Sequence, residues 1–216
     1  MIITSSNKPI RIIGFAESTI TQEGVYFISS EYEGTIDVIT PDDFLASTDK
    51  HEYQYLVFFT LDAKKRIEVI DIVESLQLDC LSFVHDSAVI YKDLRKLDPW
   101  EIALVIGRGT VICPFSSIML HSTIGNHCLI ELYCLISHYC KLGNNVILHS
   151  GTTIAGRTIV GDNCVFNFKS TVLNALTICD NVEVGALSGI TKNITQPGRY
   201  IGTIARYAGP CASFDE

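Results

Sequence analysis

The 216-residue chain is short of positive charge, with 16 Lys and Arg against 24 Asp and Glu and a net charge of −8. That balance argues against a nucleic-acid partner, which favours the opposite sign. Charge of either sign is sparse at 19%, and 47% of residues are hydrophobic, which excludes a disordered chain and predicts a sizeable core. The opening MIITSSNKPIRIIGF lacks the basic region, apolar run and small-residue cleavage site of a secretory signal. Residues 109–130 carry no formal charge, a length that raises a transmembrane reading. Pro114, His121, Asn126 and His127 interrupt the stretch, and its apolar rhythm is foreign to a membrane helix. A soluble, cytoplasmic chain with no membrane partner is expected.

Eight cysteines are present, but no C-x-x-C pair, and Cys128, Cys134 and Cys140 lie six apart. The common zinc and redox spacings are therefore absent, and reduced cysteines acting as small apolar filler are expected. A glycine-rich phosphate loop is also missing. The strand-like RIIGF runs into AESTITQEG, with no G-x-G-x-x-G to let a backbone approach a pyrophosphate.

What is present is a repeat. From residue 105 the chain divides into VIGRGT VICPFS SIMLHS TIGNHC LIELYC LISHYC KLGNNV ILHSGT TIAGRT IVGDNC VFNFKS TVLNAL TICDNV EVGALS GITKNI, fifteen blocks of six ending at Ile194. The second position is Ile, Val, Leu or Phe in all fifteen, and the sixth is Ser, Thr, Cys or Val in thirteen. A six-residue unit is one short parallel strand plus a tight corner, and three units close an eighteen-residue coil. The second-position side chain then fills the interior, and the small sixth residue also points in. Four cysteines (128, 134, 140, 164) occupy that small position. Glycine at the third position, as in Gly107, Gly125, Gly143, Gly161 and Gly185, is expected to serve a corner with unusual backbone angles. The rhythm resembles the left-handed parallel β-helix, an exception to the right-handed crossover rule.

Residues 1–88 read as a small Rossmann-like α/β unit, and 89–216 as the β-helix with a C-terminal tail. RIIGF, VYFIS, IDVIT, YLVFF and CLSFV are expected strands. Thr40-Pro41-Asp42-Asp43 is a helix start, and residues 61–77 place Ile67, Ile70, Val73 and Leu76 on one helical face. Residues 85–104 form an irregular lead-in, and a loop and last strand follow Ile194.

Positions eighteen apart stack, so outward ladders follow directly from the repeat. One is Leu120, His138, Gly156, Asn174, Lys192; a second is Cys113, Glu131, His149, Asn167, Gly185; a third is His121, Tyr139, Arg157. In the first, a base stands beside a backbone N–H with no side chain to block it. Acyl transfer needs that pairing, one group to take a proton and one to steady an oxyanion. Lys192 lies further along the same edge, where a long anionic donor such as coenzyme A can run. The alternative is a surface histidine at a corner. Glu131 and His149 are expected to form an exposed ion pair, structural or acceptor-holding, with the structural reading favoured.

Ser137-His138-Tyr139-Cys140-Lys141-Leu142-Gly143, Ala155-Gly156 and Ile159-Val160-Gly161-Asp162-Asn163-Cys164 resemble the hexapeptide-repeat sugar acetyltransferases. The nearest group contains the bacillosamine-pathway N-acetyltransferases and the sialic acid O-acetyltransferases. Gly202-Thr203-Ile204-Ala205-Arg206 is similar to that family's closing G-x-P-A-R, and His85-Asp86-Ser87-Ala88-Val89-Ile90 to its H-P-S-A-x-I. The resemblance spans about residues 36–207. It implies a homotrimer using acetyl-CoA to acylate a sugar or nucleotide-sugar acceptor in glycan biosynthesis, with no metal. His138 falls on the family's catalytic histidine and Gly156 on its acyl-contacting amide. Asn174, Lys192, Arg199 and Arg206 are implied coenzyme A contacts, with Lys169 a further candidate. Glu131, Tyr139 and His149 are implied acceptor-side positions. The sequence departs from the family there: Tyr139 replaces an acid, Ile147 a histidine and Glu131 an asparagine. Two other readings stand beside this one. One is a non-catalytic trimeric assembly or regulatory protein. The other is a zinc enzyme of the carbonic anhydrase kind, disfavoured because the close H-x4-H pair is missing.

Overall fold

The computed structural model describes residues 2–3, 8–14, 25, 32, 34–59, 62–91, 106–204 and 206–209. It shows the expected architecture, a small α/β unit followed by a left-handed parallel β-helix of hexapeptide repeats.

Each hexapeptide gives a two-residue strand at its first two positions and a four-residue corner. Leu129–Ile130, Leu135–Ile136 and Lys141–Leu142 lie on the first, second and third walls, and Ile147–Leu148 returns to the first. Walls are parallel and in register, Leu129 opposite Ile147 and Ile130 opposite Leu148. The interior is a column of second-position aliphatics, including Ile112, Ile130, Ile136, Leu148, Ile154 and Phe166. Sixth-position residues are buried beside them and solve their own polar problem. Ser116 Oγ donates to Glu131 O at 2.6 Å and accepts from Cys134 N at 3.1 Å. A thiol does the same more weakly: Cys128 Sγ donates to Gly143 O at 3.2 Å and accepts from Val146 N at 3.4 Å. Burial pushes the Cys128, Cys134 and Cys164 thiols up to about 12, so they stay protonated and unreactive.

The glycine expectation is corrected. The left-handed corner residue is the fifth position, as in Phe115 (φ 60°), His121 (60°), Tyr133 (58°) and Tyr139 (59°), not the third. Third-position glycine answers to crowding between coils. A Cβ on Gly125 would lie 2.4 Å from Gly143 O, and one on Gly107 would lie 2.4 Å from Gly125 O.

The α/β unit has a parallel sheet of β2 (Ile10–Ile13), β3 (Ile36–Ile39), β4 (Gln54–Val57) and β5 (Asp79–Cys80), in the order β3-β2-β4-β5. Helix α1 (Pro41–Ala46) starts as expected, with Thr40 Oγ1 accepting from Asp43 N at 3.1 Å. Helix α2 (Ala63–Ser75) buries Ala63, Arg66, Val69 and Val73; of the expected face Val73 is buried, Ile67 and Ile70 are half-buried, and Leu76, just past the helix, is 43% exposed. The buried arginine shifts the face, because its charge is satisfied inside the molecule. Of the expected strand at 25–29 only Val25 is described, and it is helical; the segment AESTITQEG lies outside the described residues but for its neighbours. The first wall begins before the 88/89 boundary, since β6 (Ser82–Val84) pairs in parallel with Val111–Ile112. Among the described residues no helix is long and apolar enough to cross a membrane.

The α/β unit is seated on the first wall. Ile10, Ile12, Leu56, Phe58, Leu81 and Phe83 pack on the outward residues Val111, Leu129 and Ile147, with Val165 at the margin. Arg66, 1% exposed, fastens the two parts. It donates to Val57 O and Phe59 O in its own unit and to Asn145 Oδ1 and His127 O in the β-helix, all within 2.8–3.0 Å. Removing it would take the donor from these buried acceptors, and each one left unpaired costs on the order of 1–3 kcal/mol.

Beside Arg66, His127 Nε2 lies 2.5 Å from Glu74 Oε1, which also accepts from Arg108. Burial pushes the His127 imidazole below its usual 6.5, outweighing the Glu74 hydrogen bond. Burial raises Glu74, but hydrogen bonds from His127 and Arg108 outweigh it and hold the carboxyl below its usual 4.5. The unfolded chain therefore binds a proton at His127 more readily than the folded one, and stability is lost as pH falls below 6.5. Glu74 acts in the same direction at lower pH, its contribution lost as pH falls through its depressed folded value. Thermal unfolding followed by circular dichroism is expected to show Tm falling between about pH 6.5 and 5. His127→Gln, which can donate to Glu74 but does not titrate, is expected to flatten that slope. An unchanged slope would refute the assignment.

Candidate active site

The second and third walls meet at a corner whose fourth positions form the expected ladder. The register Ile136↔Ile154↔Val172↔Ile190 places His138, Gly156, Asn174 and Lys192 on successive coils. His138 and Gly156 are in direct contact. A Cβ on Gly156 would fall 2.7 Å from His138 Cε1, 2.8 Å from Nε2 and 3.1 Å from Nδ1. The imidazole thus occupies the space that any side chain at 156 would need.

The ring is exposed, and its nitrogens make no hydrogen bond among the described residues. Tyr139 meets it edge-on, with ring centroids 5.6 Å apart at 85°, and stacks on His121 at 4.8 Å and 15°. The Gly156 carbonyl accepts from Ala175 N at 2.8 Å, while the Gly156 N–H has no acceptor among the described residues. The corner between the third and first walls is different. There Asn144 Oδ1 accepts from Asn126 N at 2.9 Å, Asp162 Oδ1 from Asn144 N at 2.6 Å and Asp180 Oδ1 from Asp162 N at 2.8 Å. Side chains cap that column of amides. At the His138 corner nothing caps Gly156, so a proton acceptor lies next to an available donor.

The remaining candidates divide among other places. Asn174 and Lys192 are exposed on the His138 edge. Arg199 and Arg206 are not: they lie on the hairpin of Gly198–Ile201 and Arg206–Tyr207 that closes the first wall, with Arg199 3.5 Å from Glu183. The acceptor-side trio also separates. Tyr139 stands beside His138, whereas Glu131 and His149 occupy the corner between the first and second walls. That pair is not exposed, as expected, but buried at 6% and 8% exposure, because Glu131 is folded back onto its own coil stack. Its Oε1 lies 2.9 Å from His149 Nδ1, and its Oε2 accepts from Ser150 N and Oγ at 3.0 and 3.1 Å. Lys169 stands on this same corner, away from the His138 edge. Ile147, where the family resemblance expects histidine, is 1% exposed in the contact between the α/β unit and the first wall. Among the described residues no group of three His, Cys, Asp or Glu side chains is placed to hold a metal ion.

Two features that bear on the site have no counterpart among the sequence expectations. The docking wall has a signal: the first position is apolar in four successive blocks of that wall, Val111, Leu129, Ile147 and Val165, before Glu183 breaks the series. The clamp of Ser150 on Glu131 has none, since it depends on a side-chain rotamer.

A family model described as bacterial transferase hexapeptide (six repeats) matches residues 139–174. UDP-3-O-acylglucosamine N-acyltransferase of Bordetella avium (strain 197N) is 32% identical over 62 residues, 29% of this chain and 17% of that protein. The corresponding protein of Janthinobacterium sp. (strain Marseille) is 39% identical over 49 residues, 23% of this chain and 14% of its own length. The chain therefore matches less than a fifth of these curated relatives. The acetyltransferase domain of PglB from Neisseria gonorrhoeae FA1090, in complex with acetyl coenzyme A, superposes with a TM-score of 0.74 at 17% identity, covering 94% of this chain and 100% of that one. Perosamine N-acetyltransferase from Caulobacter crescentus, a histidine-to-asparagine variant with CoA and GDP-perosamine, gives 0.74 at 18% identity, covering 96% and 99%. These likenesses establish a shared fold over nearly the whole chain. The chain thus carries the bacterial transferase hexapeptide over residues 139–174 and shares the fold of these acetyltransferase structures.

Proposed function

We infer that the protein transfers an acetyl group from acetyl-CoA to an amino or hydroxyl group of a sugar, nucleotide-linked, in glycan biosynthesis. The observation that carries this reading is the His138 ring resting on Gly156 beside an N–H that has no acceptor among the described residues. His138 takes the proton of the attacking amine or hydroxyl, and the Gly156 N–H holds the thioester oxygen as charge develops on it. The acetyl group passes directly to the acceptor and coenzyme A leaves as its thiol. No cysteine serves as a relay, in keeping with the protonated, buried thiols of the column. Gly156 fits the donor for a second reason: with no Cβ, it leaves room for a thioester carbonyl to reach the amide. Asn174 and Lys192 lie on the same edge to hold the donor, and Arg199 and Arg206, on the first-wall hairpin away from that edge, are assigned to the phosphates of a donor bound at a neighbouring copy. The relatives complexed with acetyl coenzyme A, or with CoA and GDP-perosamine, support both substrate classes.

We assign acceptor binding to the unit of residues 1–88, with Glu131, Tyr139 and His149 on the acceptor side. That unit sits on the first wall, and the His138 corner is the opposite vertex of the three-sided prism. An acceptor held there does not reach His138 of its own chain. This supports a closed homotrimer in which the acceptor is presented by one copy to the next. Free cysteines throughout the column support a cytoplasmic location.

The test is twofold. Acetyl-CoA and free CoA are expected to raise Tm, and acetyl transfer is expected to at least one of GDP-perosamine, a UDP-linked amino hexose and their hydroxyl counterparts. Stabilisation by neither CoA species would favour a non-catalytic scaffold instead.

A further inference from the structure

The edge that carries His138 holds a second ladder one position on. His121, Tyr139 and Arg157 are the fifth positions of that corner, so Tyr139 directly follows the proposed base and lies one coil from His121. Backbone bonds hold this turn between its neighbours: Tyr139 N donates to Leu120 O at 3.0 Å, and Arg157 N donates to His138 O at 2.8 Å. The phenol ring is pinned in turn. It stacks on the His121 imidazole, with centroids 4.8 Å apart at 15°, and meets the His138 ring at 85° with centroids 5.6 Å apart. Tyr139 is 51% exposed, and its hydroxyl makes no hydrogen bond among the described residues.

The base has no other means of orientation on this edge. A catalytic imidazole usually takes its direction from a third group that hydrogen-bonds its far ring nitrogen. No acceptor meets either nitrogen of His138 among the described residues, whereas His149 at the neighbouring corner has Glu131 2.9 Å from its Nδ1. An exposed histidine has three staggered χ1 wells to choose from. In the observed one the ring lies on Gly156, and a turn to another well carries it away from that amide. The Tyr139 ring stands against the observed position. An aromatic pair in this edge-on geometry biases the wells toward it by about three- to tenfold. Such a contact fixes where the nitrogens lie and leaves open which of them carries the proton.

We propose that Tyr139 is a positioning residue for the base, an aromatic brace that holds His138 over Gly156 and is itself backed by His121. The proposal rests on the acyltransferase reading and goes beyond the acceptor-side place given to Tyr139 there. The ring acts through His138, and the hydroxyl is not required. Losing the brace lowers the fraction of molecules whose base is in place once both substrates are bound, and so lowers kcat. The fold does not depend on the ring. Ala175 occupies the same left-handed corner two coils on, with φ 58° against 59° for Tyr139, so truncation at 139 meets no added backbone penalty.

Tyr139→Ala tests this. With GDP-perosamine, or whichever of the acceptors above the wild type acetylates best, kcat is expected to fall about three- to tenfold, the bias the brace supplies. KM for the acceptor, KM for acetyl-CoA and Tm are expected to hold. Tyr139→Phe, which keeps the ring and drops the hydroxyl, is expected to recover most of the loss. In a His138→Ala background, Tyr139→Ala is expected to change the residual transfer by less than about twofold, because a brace without a base has nothing to hold. A loss in kcat below about twofold overturns the proposal, since a purely structural side chain predicts that result. So does a Tyr139→Phe variant as impaired as Tyr139→Ala, or an acceptor KM that rises while kcat holds, either of which marks a direct acceptor contact. An undiminished effect in the His138→Ala background overturns it as well. If the wild type acetylates none of the acceptors, the acyltransferase reading fails on its own terms. The brace is then judged on the three-bond couplings across χ1 of His138. One predominant rotamer in the wild type and Tyr139→Phe, with averaging in Tyr139→Ala, supports it. Averaging in the wild type, or one rotamer in all three proteins, overturns it.

Discussion

His138→Ala is expected to lower acetyl transfer by about 10²–10⁴-fold, the usual contribution of a positioned general base. The same variant is expected to keep its Tm, its oligomeric state and its stabilisation by acetyl-CoA. That separation follows from how the residue is held. The imidazole is exposed and makes no hydrogen bond among the described residues, so its loss opens no cavity and strands no buried polar group. Its contacts are the Gly156 backbone and the edge of Tyr139. Removing it leaves the Gly156 N–H untouched, so residual transfer measures what that amide and donor positioning supply alone. The defect should lie in kcat rather than in KM for acetyl-CoA, since a proton acceptor acts in the transition state and not in the bound ground state. Turnover at wild-type level would remove the proposed mechanism, whatever the protein binds.

The β-helix was legible because its constraints are periodic. A second-position aliphatic and a small sixth residue are demanded by the width of a three-sided column, and the demand recurs at every coil from Ile112 to Ile190. Stacking at intervals of eighteen then fixes which outward residues meet, so the repeat alone pairs His138 with Gly156. Periodicity carries no information about side-chain rotamers or about contacts between distant segments. The fifth-position corner was missed because φ above zero fell on residues as unlike as Phe115, His121 and Asn145, which no composition rule singles out. Arg66 was missed for a related reason. Three of its four partners are backbone carbonyls, of Val57, Phe59 and His127, and carbonyls leave no mark in a sequence. The burial of Glu131 and His149 likewise depends on the Ser150 clamp. The departures from the family resemblance become intelligible in these terms. Ile147 belongs to the wall on which the α/β unit rests, where an ionisable side chain would be costly without a partner. The imidazole on this side of the prism is instead His149, two residues on, with a carboxylate to orient it.

Gly156→Ala is the sharper test of the paired site, because it alters the geometry and keeps both reacting groups. The added methyl would sit 2.7 Å from His138 Cε1 and 2.8 Å from Nε2, closer than carbon and nitrogen can approach. Two responses are open to the molecule: the coil moves, or the imidazole swings away. The coil is fixed by hydrogen bonds from Arg157 N to His138 O and from Ala175 N to Gly156 O, both 2.8 Å. The imidazole is held by one edge-on aromatic contact and is free to take another rotamer. The ring therefore yields. Gly156 is not in the left-handed region, so alanine meets no backbone penalty there, and the cost in stability is expected to stay below about 1 kcal/mol. Activity is expected to fall by about 10²-fold or more, the consequence of misplacing a base by an ångström or so. The His138→Ala, Gly156→Ala double variant is then expected to be no worse than His138→Ala alone apart from any loss of donor affinity, since two changes that disable one group do not add. A Gly156→Ala protein with wild-type kcat would mean that the base does not act from above this amide. Full additivity in the double variant would mean that the imidazole and the glycine contribute separately rather than as one site.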